Sequence, residues 1–142
     1  MSRATAFATI LHDPEALLAE PLKAAAPALA ATFVGVAVSL TEATHSSIER
    51  IMTKVLGARV MRHPTGEEFI GLGRRSAVGL ALELGTERVL YADPDHMLHW
   101  LAANAGELQT VLTVQPETGF LIVGRSERAF AAVPQRLQRT TQ

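Results

Sequence analysis

Residues 88–100 read RVLYADPDHMLHW, and this stretch decides how the rest of the chain is arranged. It begins with β-branched and apolar residues, which predict a buried strand over residues 88–92. Two aspartates then flank Pro94, and from Asp95 onward the apolar residues have helical spacing. The stretch therefore predicts a strand that leads into Asp93, followed by a helix that begins near Asp95.

Asp93 and Asp95 are the candidate metal ligands. In open α/β sheets, ligands bind at the carboxyl ends of the strands, which is where this stretch places both side chains. Pro94 fixes its own φ and biases Asp93 toward an extended backbone, so both carboxylates can face one small volume. Two oxygen donors there suit Mg²⁺ or Mn²⁺ holding a diphosphate. The alternative is that both aspartates have purely structural roles, in which Asp95 is a helix N-cap and Asp93 closes a turn.

The composition favours one globular domain over residues 1–142. There are 13 basic and 14 acidic residues, a formal net charge of −1 and no cysteine. Near-zero net charge gives no indication of a nucleic-acid partner, and the missing thiols exclude disulfides, thiolate metal sites and a cysteine nucleophile. This is compatible with a cytoplasmic protein. The long uncharged stretch between Lys23 and Glu42 is rich in alanine and contains Pro27, so it does not predict a membrane span.

Strand and helix patterns alternate along the chain. Strands are predicted at residues 32–40, 58–61, 88–92 and 119–124, and helices at residues 46–56, 67–84, 95–105 and 107–113. Pro21 and Pro27 predict two short helical pieces before the first of these strands. Alternation of this kind predicts a three-layer αβα fold with a mainly parallel sheet and right-handed crossovers.

The helix predicted at residues 67–84 has an apolar side and a glycine-rich start. Its expected buried residues are Leu72, Val78, Ala81 and Leu82. A dinucleotide-binding fingerprint would need a third glycine at Ser76 and a strand directly before the motif, and neither is present.

Residues 71–95, GLGRRSAVGLALELGTERVLYADPD, resemble the nucleotide-sugar half of GT-A glycosyltransferases. Those enzymes often have a glycine-rich helix start with an arginine, a small-residue helix, and an apolar strand that ends in Asp-x-Asp. Upstream, residues 36–45, VAVSLTEATH, resemble their first strand and base-binding loop. The similarity covers about residues 32–125 and implies a GT-A or Rossmann-like half domain that binds a nucleotide diphosphate sugar with Mg²⁺ or Mn²⁺.

The resemblance also implies roles for six residues. By position, Asp95 is a metal ligand, Asp93 contacts the ribose or the metal, Arg74 or Arg75 approaches the phosphates, and Thr41 and Glu42 lie beside the base and ribose. A guanidinium suits phosphate recognition. Simpler interpretations stay open, because adjacent arginines also occur on solvated helix faces, and Thr41 and Glu42 also suit the start of a helix.

Three function classes follow. The leading one is transfer of a sugar from a nucleotide diphosphate donor, and the alternatives are a nucleotidyltransferase and a non-catalytic nucleotide-binding or oligomerisation module. In GT-A enzymes the acceptor site and any catalytic carboxylate usually follow Asp-x-Asp, whereas little of this sequence follows Gly124. We therefore expect a piece of a longer enzyme or a relative that only binds, and we assign no catalytic residue. We also expect that the chain either self-associates as a homo-oligomer or lacks its other half.

Two further sites are not supported by spacing. His45, His96 and His99 lack identifiable partners for a complete zinc site. Ser39 and Ser76 have no visible histidine and aspartate partners, so the sequence does not predict a hydrolase triad.

Overall fold

A computed structural model of the chain describes residues 5–113, which form an alternating α/β structure. The elements run in the order β1 Thr5–Leu11, α1 Ala19–Thr32, β2 Gly35–Thr41, α2 Ser46–Lys54, β3 Arg59–His63, a 3-10 turn Glu67–Phe69, α3 Ile70–Leu82, β4 Arg88–Tyr91, α4 Pro94–Ala103 and α5 Ala105–Thr113. Helices cover both faces of the sheet, which confirms the predicted three-layer αβα fold.

The four strands are all parallel and lie in the order β3-β2-β1-β4. From β1 the chain moves outward in one direction through β2 and β3, and then returns to place β4 on the other side of β1. The strand order therefore reverses between β1 and β4. Their carboxyl ends flank a topological switch point, the position at which open α/β sheets characteristically bind ligands.

The larger apolar core lies between the sheet and helices α1, α2, α4 and α5. Alternate residues of β1 and β2 point into it, including Phe7, Leu11, Val36 and Leu40. The Phe7 ring stacks on Phe33 with 5.3 Å between centroids. This core holds Phe7 and Leu11 of β1 in place, and so it positions His12, the residue that directly follows the strand.

Small residues bring α3 close to the opposite face of the sheet. Gly73, Ala77 and Ala81 recur every four residues, so they share one side of α3, and all three are buried. They lie over the alanine-rich face of β1 and β2, where Ala8 and Ala37 are fully buried and paired in register. The close approach brings the start of α3, including Arg74, beside the carboxyl edge of the sheet.

Several local predictions were wrong in detail. Residues 5–11 form a central strand that the sequence patterns did not reveal, and α1 is one helix that continues through Pro27. On α3, Leu72 is 39% exposed and Leu82 is 61% exposed, so the buried side is the glycine and alanine side. The strand predicted at residues 119–124 lies outside the described residues.

No helix within residues 5–113 has both the length and the apolar character needed to cross a membrane.

Candidate functional site

A cleft of about 400 Å³ opens at the topological switch point, between the segments that follow β1 and β4. Its lining residues are Ile10, Leu11, His12, Leu18, Ile70, Arg74, Asp93, Pro94 and Asp95. Five of the lining residues are apolar, and the polar or charged ones are His12, Arg74 and the two aspartates. The cleft therefore has room for a small ligand and combines apolar surface with a few charged groups, as binding sites commonly do.

The start of α4 brings Asp93, Asp95 and His96 together. Each side chain offers one ligand atom, and these atoms all lie within 4.8 Å of one another. Pro94 is the first residue of α4 and Asp93 has an extended backbone with φ −67° and ψ 148°. Asp95 is therefore in the first turn and is not the N-cap. Asp93 is at the N-cap position, but its side chain makes no capping hydrogen bond.

Tyr91 holds the Asp93 carboxylate instead. Its hydroxyl donates to Asp93 Oδ1 over 3.2 Å. Burial and the negative charge of Asp93 raise the pKa of Tyr91 to about 12, while the Arg74 guanidinium acts in the opposite direction. The hydroxyl consequently stays protonated near neutral pH and remains a donor, so Asp93 keeps its orientation with Oδ2 available to a ligand.

Arg74 lies next to this pair. Its guanidinium carbon is 5.9 Å from the centroid of the Tyr91 ring, within the range of a cation–π contact. Arg75, the next residue on α3, is exposed and does not line the cleft. The helix thus separates the two arginines that the resemblance left as alternatives, and Arg74 is the one beside Asp93 and Asp95.

A chain of hydroxyl groups connects the ends of β1 and β2. His12 Nδ1 is 2.8 Å from Thr41 Oγ1, which is 2.8 Å from Thr44 Oγ1. Thr44 Oγ1 also accepts from the Asp13 N–H over 3.1 Å and donates to the Leu11 carbonyl over 3.2 Å. The Thr41 and Thr44 side chains are buried, whereas His12 is exposed at the cleft.

Arg62 holds the loop that follows β2. Its Nη1 donates to the carbonyls of Thr41, Glu42 and Thr44, and its Nε donates to Glu49 Oε1. Only a guanidinium offers several donors in a fixed planar arrangement, so a lysine could not replace it here. The loop that carries Thr41 and Glu42 is therefore anchored from β3.

Ser39 has a histidine partner that the sequence patterns did not reveal. Its Oγ lies 2.7 Å from His63 Nδ1, and Ser39 is 0% exposed while His63 is 5% exposed. Burial lowers the pKa of His63, although the negative charge of Glu42 acts in the opposite direction. A hydroxyl with no access to solvent cannot attack a substrate, so we interpret the Ser39–His63 pair as a structural contact beneath α3.

Four of the six residues proposed from the resemblance are at or next to the cleft. Arg74, Asp93 and Asp95 line it, and Thr41 contacts the lining residue His12 through its hydroxyl. Glu42 and Arg75 are exposed and are not among the lining residues. Direct contacts of all six residues with a ligand stay predictions.

His12 and Asp13 were missed as site residues because β1 was missed. The Asp13 carboxylate accepts hydrogen bonds from the backbone N–H groups of Leu17 and Leu18 over 2.8 and 2.9 Å. It therefore shapes the turn that leads into α1. The signal in the sequence was the largely apolar segment at residues 6–11, interrupted by Thr9, directly before two polar residues.

Comparisons with protein-family models, with curated proteins and with solved structures find no match to this chain.

Proposed function

We propose that the chain binds a nucleotide diphosphate sugar together with Mg²⁺ or Mn²⁺ in this cleft, as the nucleotide-sugar-binding part of a glycosyltransferase. The observation that carries the proposal is the position of Asp93 and Asp95. Both line the cleft at the switch point, and neither is used to cap α4. Their resemblance to an Asp-x-Asp motif supports a diphosphate as the ligand.

The charges of the cleft favour a metal-dependent ligand. One guanidinium, Arg74, faces two carboxylates, so the lining residues carry a formal net charge of about −1 when His12 is counted as neutral. A diphosphate alone would be repelled by Asp93 and Asp95. A divalent cation between them reverses the sign of the local field, and anion binding becomes favourable. We therefore infer that the metal and the diphosphate bind together.

The donor set fits either proposed ion. Mg²⁺ prefers oxygen ligands and commonly uses one or two carboxylates plus phosphate oxygens, which Asp93, Asp95 and a diphosphate would supply. Mn²⁺ also binds such oxygen ligands, and the nearby His96 adds an imidazole nitrogen. When bound, the ion would act as a Lewis acid that offsets negative charge on the leaving diphosphate.

The remaining polar residues would orient the ligand. Arg74 lies beside the metal-binding pair and would donate to a phosphate oxygen, for which its planar guanidinium is suited. The apolar residues Ile10, Leu18 and Ile70 would cover the less polar part of the nucleotide. Tyr91 would keep Asp93 in the orientation that the ion needs.

A second function, nucleotide binding without sugar transfer, is supported by one specific observation. Asp93 and Asp95 are the two carboxylates among the lining residues, and the proposal uses both as metal ligands. Among residues 5–113, the lining therefore contains no further carboxylate to act as a general base. In this case the chain would bind the same ligand and metal but would not transfer the sugar to an acceptor.

Calorimetry on the purified chain tests the shared claim. Adenosine, guanosine and uridine diphosphate are titrated with Mn²⁺ present, and the tightest binder is titrated again after the metal is chelated. We expect the affinity to fall at least tenfold without metal, which corresponds to about 1.4 kcal/mol of coupling. Equal affinity in both conditions, or no binding of any of the three, would contradict the proposal.

A further inference from the structure

The hydroxyl chain behind the cleft determines which nitrogen of His12 carries the proton. Thr44 Oγ1 makes three contacts but has a single proton. The Asp13 N–H can only donate to it, and the Leu11 carbonyl can only accept from it. Thr44 Oγ1 is 3.2 Å from the Leu11 carbonyl, and when its proton is directed there, Thr41 is the donor in the 2.8 Å contact between the two hydroxyls.

The same count extends to the imidazole. Thr41 has also used its only proton, so at its 2.8 Å contact with His12 the ring must donate and Thr41 Oγ1 must accept. His12 Nδ1 therefore carries a hydrogen. In the neutral ring the other nitrogen, Nε2, is left with a lone pair, and His12 lines the cleft. This is the minor tautomer of free histidine in water, and the buried threonines select it.

We propose that His12 is a specificity-determining residue whose Nε2 accepts a hydrogen bond from a hydroxyl group of the ligand. The inference rests on the proposed function for the class of ligand, since a nucleotide diphosphate sugar offers hydroxyls on its ribose and on the transferred sugar. The Nε2 acceptor is held in place, because the hydrogen bond between Nδ1 and Thr41 Oγ1 fixes the orientation of the ring. A ligand without the matching hydroxyl leaves this acceptor unpaired and binds more weakly.

The tautomer can be measured without any ligand. Imidazole ¹⁵N chemical shifts distinguish a protonated nitrogen from one with a lone pair, and they also distinguish the neutral ring from the charged one. We expect Nδ1–H for His12 in the wild-type chain and a shift toward Nε2–H in Thr41→Val, which lacks the accepting hydroxyl. Finding Nε2–H in the wild-type chain would overturn the inference, whatever the ligand experiments show.

The ligand contact is tested with a matched pair of variants. His12→Asn retains an amide N–H near the position of Nδ1, and so retains a donor for Thr41, but has no acceptor at the position of Nε2. His12→Gln reaches that position with an amide oxygen. For the nucleoside diphosphate that binds best with Mn²⁺, we compare its 2′-deoxy and 3′-deoxy analogues, and we compare the matching diphosphate sugar with its deoxy-sugar analogues.

We expect one set of analogues to bind about tenfold more weakly than its parent to the wild-type chain, as for loss of one hydrogen bond. This discrimination should disappear in His12→Asn and return in part in His12→Gln. Weaker binding of the deoxyribose analogues identifies the ribose as the partner, and weaker binding of the deoxy-sugar analogues identifies the transferred sugar. Equal binding of every analogue would overturn this inference and leave the metal-dependent site intact. If no nucleotide binds at all, both proposals are wrong.

Discussion

Replacing Asp95 with asparagine should abolish the metal dependence of nucleoside diphosphate binding. Asp95→Asn removes one of the two carboxylates at the cleft but preserves the size of the side chain, and its backbone is already within α4. An amide is a much poorer ligand for a divalent cation than a carboxylate. In wild type we expect Mn²⁺ to raise the affinity for the nucleoside diphosphate at least tenfold. In Asp95→Asn the ratio of the affinities with and without Mn²⁺ should fall close to one, and Asp93→Asn should give the same result.

Glu83→Gln is the matched control for both substitutions. Glu83 is an exposed carboxylate at the C-terminal end of α3, outside the cleft. The variant changes the net charge by the same amount, so it measures any general electrostatic effect. Glu83→Gln should retain the metal dependence in full. If all three variants retain it, the metal does not bind at Asp93 and Asp95.

Replacing Gly73 with alanine should destabilise the fold, although alanine is the better helix former. A Cβ at Gly73 would lie 2.7 Å from both His63 Cε1 and His63 Nε2. The ring cannot move aside easily, because it is buried and its Nδ1 is hydrogen-bonded to Ser39. Overpacking costs about 1–3 kcal/mol and the gain in helix propensity is about 1 kcal/mol, so we expect a net loss of up to about 2 kcal/mol in unfolding free energy.

The same helix supplies a control with the opposite sign. Gly79 is exposed, and a Cβ there would meet nothing within 4 Å. Gly79→Ala should therefore raise the unfolding free energy by about 0.5–1 kcal/mol. Denaturant unfolding measures both variants. A stabilised Gly73→Ala would show that His63 does not pack against α3 as described, and the combined Gly73→Ala and His63→Ala variant should recover part of the loss.

The best-predicted part of the molecule was the stretch around Pro94. Its apolar run became β4, although the β4 residues are half-buried rather than buried as predicted. Pro94 became the first residue of α4, and Asp93 and Asp95 both line the cleft. Local chemistry dominates here, since proline restricts both its own backbone and that of the residue before it. The α2 helix was equally readable, because Ile48, Ile51 and Met52 have helical spacing and all are buried.

The first strand could not be predicted with the same ease. Residues 5–11 read TAFATIL, in which alanine and threonine reduce the apolar contrast between the two faces. The strand is central because α3 packs closely on its alanine face, and this is a long-range contact that residues 5–11 alone do not indicate. Without β1, the sequence gives no reason to place His12 at a strand end, although it lines the cleft.

The same long-range contact between α3 and the sheet explains why the buried side of α3 was predicted wrongly. Leucine positions suggested that Leu72 and Leu82 would be buried, but the residues that contact the sheet are Gly73, Ala77 and Ala81. A sheet face lined with alanine leaves room for the helix backbone rather than for large side chains. The pattern of small residues every four positions is present in the sequence. It indicates the buried side of α3 only once the alanine-lined sheet face that packs against it is known.

Self-association of the chain stays a prediction.

Paramagnetic broadening by Mn²⁺ is the most direct measurement of the central claim, that metal and diphosphate bind together at the switch point. With a nucleoside diphosphate bound, sub-stoichiometric Mn²⁺ should selectively broaden the amide signals of His12, Asp93 and Asp95 in the ¹⁵N-labelled chain. The signal of Lys54 should persist, because α2 ends there, near the amino ends of the strands and away from the cleft at their carboxyl ends. Broadening centred on the loop at residues 41–45, or no selective broadening, would contradict the account.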